Sequence, residues 1–441
     1  MIRSLLLTLP ILLSTPWVAC AAAPATTFVD LAAEVLIQNE RVRAAGMDLE
    51  ASKEGVRQAK GVFLPQVTLD VTQYHQRQEY SGTDAKLRWD PLDVTLTVEQ
   101  KLYNRQSLMG VHKSQYTVMM ARGQYKQTRQ EMLLQLVEAA FRVKQAEELV
   151  KLSQENMAVL RENLVAAKAM AAAGEVTRTD VSYATARLEG ARSGLLQSQN
   201  DRQVALAQFR ELANRDLPAN LWPAERVGDW QEPVQPHVLK QRLDARPDLQ
   251  VQQARIARAG SEVAYQKGGH WPTLELVGTA GRTLNDRTTV GIAHETNYTV
   301  GFEASLPIYS GGITSSQVRQ AKLLRQVETL TLADQRRFAL RDIDEAAHNL
   351  NSALAVERAS RIAADASNDA LEGVKREFKA GERSMLEQLD ARRELFERRS
   401  DHARSKIGVA MSRYRLLHAL GVLDPQMMQQ KVGSMKKGDE G

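Results

Sequence analysis

The chain has 441 residues, of which 25% are charged and only 5% are aromatic. The charged fraction excludes a wholly disordered chain, and the low aromatic content argues against a compact globular enzyme of this length and favours long helices. Lysine and arginine exceed aspartate and glutamate by 58 to 53, and this small, dispersed excess provides no nucleic-acid-binding surface.

The N-terminus has the pattern of a secretory signal peptide. Arg3 precedes an apolar run at residues 5–13, and small residues follow at 19–23. The run is too short to cross a bilayer as a helix, so we predict an exported protein that loses residues 1–22. Cys20 is the only cysteine, which excludes a disulfide within one chain. Acylation of Cys20 is the alternative, although Trp17 stands where lipoproteins usually have leucine.

Proline is absent from residues 92–217 and 308–424, and both stretches are rich in helix-forming residues. Long helices interrupted only by tight breaks are expected there. For the first half of the chain we predict a helix, two strands separated by a polar loop, and two long helices, at 31–60, 67–72, 92–99, 105–172 and 177–213. At 1.5 Å per residue, the first long helix would extend about 100 Å, which few compact domains could contain.

The second half repeats the first. Pro65 and Pro272 follow similar residues, Gly174 and Gly381 stand in the same Ala-Gly-Glu triplet, and both pairs are 207 residues apart. The corresponding elements are predicted at 238–267, 274–280, 298–306, 312–379 and 383–420. The predicted organisation is therefore a signal peptide, a first repeat, a linker, a second repeat and a polar tail, at 1–22, 23–213, 214–237, 238–423 and 424–441.

The four strands alternate apolar and polar residues, and each is about as long as a tilted strand that crosses a bilayer. A membrane barrel must close and needs about eight strands, so four strands can span only if several chains pool them. Aromatic residues near the strand ends resemble two interfacial girdles: Phe63, Tyr103, Trp271 and Tyr309 on one side, Tyr80, Trp89 and Tyr298 on the other. Half-buried hairpins with scattered aromatics on a soluble body are the alternative.

The junctions between strands and helices resemble those of a known family. Residues 305–312, with Pro307, Tyr309, Gly311 and Gly312, are similar to the second strand-to-helix junction of the TolC outer-membrane factors. Residues 269–274 resemble the other junction of that family. Pro272 lies in this other junction, and Pro65 is its counterpart in the first repeat. Tyr103 of the first repeat corresponds to Tyr309 at the strand-to-helix junction.

The resemblance covers nearly the whole mature chain. It implies an α + β membrane protein with two internal structural repeats, in which a homotrimer forms a twelve-stranded transmembrane β-barrel from four strands per chain. A long α-helical coiled-coil barrel would extend from it into the periplasm. The expected location is the outer membrane of a Gram-negative bacterium, in contact with outer-membrane lipid.

The sequence offers no convincing catalytic set, so we expect no enzyme activity, no cofactor and no metal site. The eight histidines are scattered, and none has metal-binding spacing with a carboxylate partner. Gly311 and Gly312 follow a strand and open a helix, which could indicate anion binding. Without further glycines, a tight turn with close packing is the better interpretation.

Acidic residues follow Gly381. Glu387 and Asp390 share one helix face near its start, where a solvated, charged helix start is the simplest interpretation. The TolC resemblance implies instead that three copies line a constricted periplasmic entrance and attract cations. It also implies that Arg383 bonds Thr179 and Asp180 as a gate latch, whereas Phe378 stands where the family has an aromatic hydroxyl and cannot donate a hydrogen bond.

The same resemblance implies docking of a periplasmic adaptor at the helix-tip turns, Gly174, Glu175, Gly381 and Glu382, and transport driven by an inner-membrane pump of the ABC or RND type. We expect a gated export duct, with type I protein secretion favoured. Efflux of drugs or metals is the alternative within this class. A periplasmic coiled-coil scaffold without a pore is the alternative from another class.

Overall fold

The computed structural model describes residues 27–79, 86–219, 221–228, 232–288 and 291–428. The predicted signal peptide, Cys20, Tyr80 and most of the predicted C-terminal tail lie outside the described residues.

The first half contains α1 (Phe28–Gln38), α2 (Glu40–Gly61), β1 (Gln66–Gln73), β2 (Gln76–Glu79), β3 (Lys86–Trp89), β4 (Leu92–Asn104), α3 (Arg105–Ala172) and α4 (Arg178–Ala213). The single helix predicted over 31–60 is wrong, because the chain breaks at Asn39. The Asn39 side chain accepts hydrogen bonds from the backbone N–H groups of Arg41 and Val42 and so caps α2. The predicted polar loop contains an antiparallel ribbon, β2–β3, which sequence periodicity did not indicate.

The second half contains α5 (Pro236–Leu239), a 3₁₀ turn (Lys240–Ala245), α6 (Pro247–Gly268), β5 (Thr273–Thr288), β6 (Gly291–Ser305), α7 (Ile313–Lys379) and α8 (Met385–Ala419). The prediction that this helix starts at 238 is wrong, because α6 starts at Pro247. Proline suits the first helical position, since the N–H that it lacks would have no partner within the helix. The order of helix, paired strands, long helix and shorter helix thus recurs in both halves.

The four longer strands form one antiparallel sheet in the order β1-β4-β5-β6, apart from the ribbon β2–β3. The central pair joins the two halves of the chain, with Leu96 opposite Ala280. The outer strands β1 and β6 are exposed, and each has one edge without a strand partner among the described residues. Exposed apolar side chains on these strands include Val67, Leu69, Val300 and Phe302. The sheet of one chain is therefore open.

The long helices form two hairpins, α3 with α4 and α7 with α8, and both run away from the sheet. The 68 residues of α3 correspond to a length of about 100 Å. Within the described ranges, no helix combines the length and the apolar character needed to cross a membrane.

The main apolar core, called the hub below, lies where α1 packs on the middle of α3, the end of α4 and the end of α8. Phe141 and Tyr414 are fully buried there, with ring centroids 5.8 Å apart. The Tyr414 hydroxyl donates to the carbonyl of Ala224 at 3.0 Å, and burial raises its pKa. Arg413 donates to both carboxylate oxygens of Glu232, at 2.8 and 3.1 Å. These bonds fasten the segment between the two halves onto the hub.

Candidate functional site at the helix tips

The two hairpins end in matching turns. Gly174 follows α3 and Gly381 follows α7, with φ values of +77° and +80° that favour glycine. In each turn, the second residue after the C-cap donates a backbone hydrogen bond to a carbonyl of the preceding helix. The Glu175 N–H donates to the Met170 carbonyl, and the Glu382 N–H donates to the Glu377 carbonyl, both at 2.9 Å. This Schellman arrangement satisfies carbonyls that the helix end leaves free. We call these turns, with the adjoining helix ends, the tip.

Both helices that leave the tip start with a capping box. The Thr177 hydroxyl accepts from the N–H of Asp180, whose carboxylate accepts from the Thr177 N–H at 2.9 Å. Ser384 and Glu387 repeat the arrangement, with the Ser384 N–H donating to the Glu387 carboxylate at 2.8 Å. Asp180 and Glu387 are therefore equivalent in the two repeats. Each satisfies an N–H group that a helix start would otherwise leave without a partner.

Arg383 binds within its own turn. Its guanidinium donates to Glu377 at the end of α7, at 2.9 Å, and to Glu387 at the start of α8, at 2.6 Å. The bonds from the Ser384 backbone, the Arg383 guanidinium and the Ser384 hydroxyl lower the pKa of Glu387 to about 2. Glu387 is therefore a paired, ionised helix cap as well as an exposed acid.

Asp390 bonds to the other hairpin. A guanidinium nitrogen of Arg187, on α4, donates to the Asp390 carboxylate at 2.6 Å. The two side chains are 33% and 46% exposed, so water screens the pair only in part. Among the described residues this is the ion pair that joins α4 to α8. Sequence reasoning missed Arg187, because nothing in the sequence shows which residue of α4 faces α8.

A small apolar cluster lies beneath these pairs. Its buried members come from both hairpins: Leu160 and Ala167 on α3, Ala184 on α4, Met385 and Leu389 on α8. Phe378 packs against it with its ring partly buried. Phe378 thus contributes apolar contact at the position where the TolC family has an aromatic hydroxyl.

The predicted gate latch is not formed within the described part of this single chain. Thr179 and Asp180 lie in the first turn of α4, and the Asp180 carboxylate bonds Thr177. Arg383 bonds Glu377 and Glu387 instead. The pairing of Arg383 with Thr179 or Asp180 stays a prediction.

The strand–helix junctions lie at the far end of the long helices. Gly311 and Gly312 have φ values of +61° and +77°, and Gly312 caps α7. A Cβ atom on either would meet no atom of this chain within 4 Å, so the predicted tight turn is present but the predicted close packing is wrong within the chain. Their backbone conformation is what requires glycine.

The aromatic residues of the junctions differ in their contacts. The Arg105 guanidinium carbon lies over the Trp271 ring, 5.6 Å from the ring centroid, in cation–π geometry. Tyr309 is 87% exposed. Tyr103 lies in β4 opposite Leu274, next to a register shift. Pro65 precedes β1, Pro272 precedes β5 and Pro307 follows β6.

The described residues include no group of three or more histidine, cysteine, aspartate or glutamate side chains arranged to hold a metal ion. At the tip, acids and arginines form charge-assisted hydrogen bonds at the water-exposed end of two helical hairpins. Such an arrangement holds the ends together reversibly.

Comparison with known proteins gives the chain its relatives. Residues 31–215 and 238–422 match the family described as outer membrane efflux protein. The outer membrane efflux protein BepC of Brucella suis is 27% identical, over 97% of this chain and 92% of its own length. The outer membrane protein TolC of Vibrio cholerae is 24% identical over 86% of both chains. The protease secretion protein PrtF of Dickeya chrysanthemi is 24% identical, over 90% and 88%.

The fold has solved counterparts. A membrane protein from Pseudomonas aeruginosa superimposes with a TM-score of 0.77, at 20% identity, over 90% of both chains. The predicted fold class, the TolC-like resemblance and the outer-membrane location are confirmed by these matches. Since the family match spans both halves of the chain, the protein belongs to the outer membrane efflux protein family.

Proposed function

We propose that the protein is a trimeric duct that receives cargo from an inner-membrane pump and adaptor and releases it outside the cell. The observation that carries the proposal is the tip, where two hairpins with longer helices of about 100 Å are held together by a five-residue apolar cluster and a partly exposed ion pair. Family membership places the chain among outer-membrane channels. The duct carries out no bond chemistry.

The open sheet supports assembly. Strands β1 and β6 expose apolar side chains, and within the described ranges each leaves one edge unpaired, which hydrocarbon does not tolerate. Pairing β6 of one chain with β1 of the next removes both edges. Three chains then give a twelve-stranded barrel in contact with outer-membrane lipid.

The gate belongs to the tip. In a trimer, three copies of Glu387 and Asp390 surround the periplasmic entrance and favour cations. Arg383 would bond Thr179 and Asp180 of the neighbouring chain once its bonds to Glu377 and Glu387 are exchanged. Phe378 cannot take part in that exchange as a donor, so arginines would supply the polar bonds of the gate while Phe378 packs against the apolar cluster.

The turns at the tip are the proposed docking surface. Gly174 and Glu175, with Gly381 and Glu382, are exposed and project beyond the helix ends. A helical hairpin of a periplasmic adaptor fits the groove between such turns. An ABC or RND pump in the inner membrane would supply the energy.

Type I protein secretion is the favoured use. PrtF, a protease secretion protein, matches nearly all of the chain and supports it. BepC is an efflux protein of similar coverage and supports the alternative, efflux of drugs or metals. Both uses need the same duct and differ in the pump and the cargo.

Deletion of the gene in its own host separates these uses. We expect loss of one or more polypeptides from the culture medium, recovery on complementation, and little change in drug or metal tolerance. Retained secretion with lowered tolerance would assign the protein to efflux. If neither changes and the mature protein is soluble without detergent, the protein is a periplasmic scaffold.

A further inference from the structure

We infer that Arg282, on β5, binds a phosphate group of an outer-leaflet lipid on the membrane-facing side of the sheet, at one site per chain. The inference rests on the proposed channel function, because it requires the sheet to stand in a membrane. It assigns a ligand class to a charged residue of the sheet that neither the duct nor the gate uses.

The pairing register of the strands divides the sheet into an apolar face and a polar face. Residues opposite one another on neighbouring strands share a face, and successive residues of one strand alternate between the faces. The rows of the apolar face, from the helix end toward the turn end, are Gln100, Leu276 and Phe302; Val67, Val98, Gly278 and Val300; Leu69, Leu96, Ala280 and Tyr298; and Val71, Val94, Arg282 and Thr296. Arg282 is the only charged residue in these rows.

The carboxylates of the sheet lie on the other face. Asp93 and Glu295 flank Thr283 in one row, and Glu275 pairs with Glu303 in another. In a membrane barrel the apolar face contacts lipid and the polar face lines the lumen. These acids are therefore separated from Arg282 by the barrel wall and cannot neutralise it.

Arg282 has no side-chain partner within the chain. Its side chain is exposed and makes no hydrogen bond or ion pair with any described residue. Its neighbours across the strands are Val94, which has no polar side-chain atom, and Thr296, whose hydroxyl can donate but carries no charge. An unpaired guanidinium on a lipid-facing surface is costly, so the neutralising anion must come from the lipid.

The position of Arg282 along β5 places it at the level of the outer headgroups. It follows Leu274 by eight positions, which is about 26 Å along a strand and about 20 Å across the bilayer at a tilt of about 40°. The apolar band of such barrels is about 25 Å tall. Tyr298, one row nearer the helices, is exposed and is a residue type that marks membrane interfaces.

The surroundings favour a lipid phosphate over a free anion. The planar guanidinium can bind a phosphate through two parallel hydrogen bonds. Ala280 and Leu284 lie on the same face on either side of Arg282 and offer apolar contact to an acyl chain. A lipid satisfies both features, whereas inorganic phosphate satisfies only the charge.

The test counts lipids bound to the purified trimer by native mass spectrometry in detergent, during titration with lipid A, a phosphorylated lipid of the outer leaflet. We expect one tightly bound lipid per chain, retained in excess inorganic phosphate. Arg282→Gln should lower the affinity at least about tenfold, since it removes a charge-assisted pair. Arg282→Lys should lower it less, because the charge remains.

Lys101→Gln is the matched control. Lys101 is a cation of the same sheet, but it pairs with Glu275 and so lies on the polar face. Its substitution should leave lipid binding unchanged. In phosphatidylcholine vesicles, added lipid A should raise the Tm of the unmodified trimer and of Lys101→Gln but not that of Arg282→Gln. Because Arg282 is exposed, we expect all three variants to assemble, and trimer recovery verifies this.

The outcomes separate failure of the site from failure of the channel. Trimers that insert into vesicles but bind lipid A equally well with and without Arg282→Gln would overturn the inference and leave the channel function standing. Displacement of the lipid by inorganic phosphate would also overturn it, because the site would then take a free anion. A folded mature protein that stays soluble without detergent would overturn the channel function itself.

Discussion

The hub and the tip share the helices α3, α4 and α8 but are held by different forces. In the hub, fully buried rings such as Phe141 and Tyr414 pack together, and the buried Arg413 guanidinium binds Glu232. At the tip, Arg383 and Glu387 are exposed and the apolar cluster is small. Buried packing resists separation, whereas partly solvated ion pairs separate at low cost. We therefore expect the hub to resist separation and the tip to separate at lower cost.

The largest expected effect comes from emptying the hub. Phe141→Ala removes a fully buried ring and should lower the free energy of unfolding by about 3–5 kcal/mol. Phe378→Ala at the tip is the matched variant and should cost less, because that ring is only partly buried. Urea unfolding of the detergent-solubilised trimer measures both. Equal losses would remove the distinction between hub and tip.

Breaking the ion pair of the hub should come next. Arg413→Met removes the buried guanidinium that binds the partly exposed Glu232 carboxylate and the Glu225 carbonyl, and should cost about 1–3 kcal/mol. The double variant Arg413→Met with Glu232→Gln should recover part of the loss, since it leaves no unpaired charge. Arg383→Met at the tip should cost less in the same unfolding assay. A larger loss for Arg383→Met would contradict the comparison.

The tip turns should tolerate a side chain poorly. Gly381→Ala forces a left-handed conformation on alanine and should cost about 1–2 kcal/mol. Gly373→Ala is the control, because Gly373 lies inside α7 with open space around it, and alanine there should stabilise the helix by about 0.5–1 kcal/mol. Hydrogen exchange of residues 370–390 reports both changes. A Gly381→Ala variant as stable as the unmodified protein would show that the turn does not require glycine.

The smallest effect should be a pH dependence of the tip. The folded-state pKa of Glu387 is lowered from 4.5 to about 2, so the ionised cap contributes its full stability above pH 4.5 and loses it as the pH falls toward 2. The difference in Tm between the unmodified protein and Glu387→Gln should be constant from pH 7 to 5 and shrink below 4.5. A difference that grows on acidification would reverse the assigned sign.

The helices of the long hairpins could be predicted to within about two residues, because proline is absent and glycine ends them. The first helix of each half was less predictable. The break at Asn39 and the late start at Pro247 depend on local capping, which apolar periodicity does not report. In the ribbon β2–β3, β2 is wholly polar and β3 alternates over only four residues, which is too short a signal to predict a strand.

At the tip, sequence identified the acids but not their partners. The pattern of serine or threonine followed three residues later by an acid, at Ser384 and Thr177, would have revealed the two capping boxes. The pairing of Arg187 with Asp390 could not have been found, because it depends on the rotation of α4 about its axis relative to α8. Contacts between distant helices are set by packing rather than by any local pattern.

The central claim is that this outer-membrane channel opens at its tip. Its most direct test is the conductance of the purified mature trimer in planar bilayers, with and without Glu387→Ala and Asp390→Ala together. We predict small, discrete, cation-selective steps for the unmodified protein, and larger, less selective steps with weaker divalent block for the double variant. Folded proteins that give no steps in either form, or identical conductance and selectivity in both, would contradict the account.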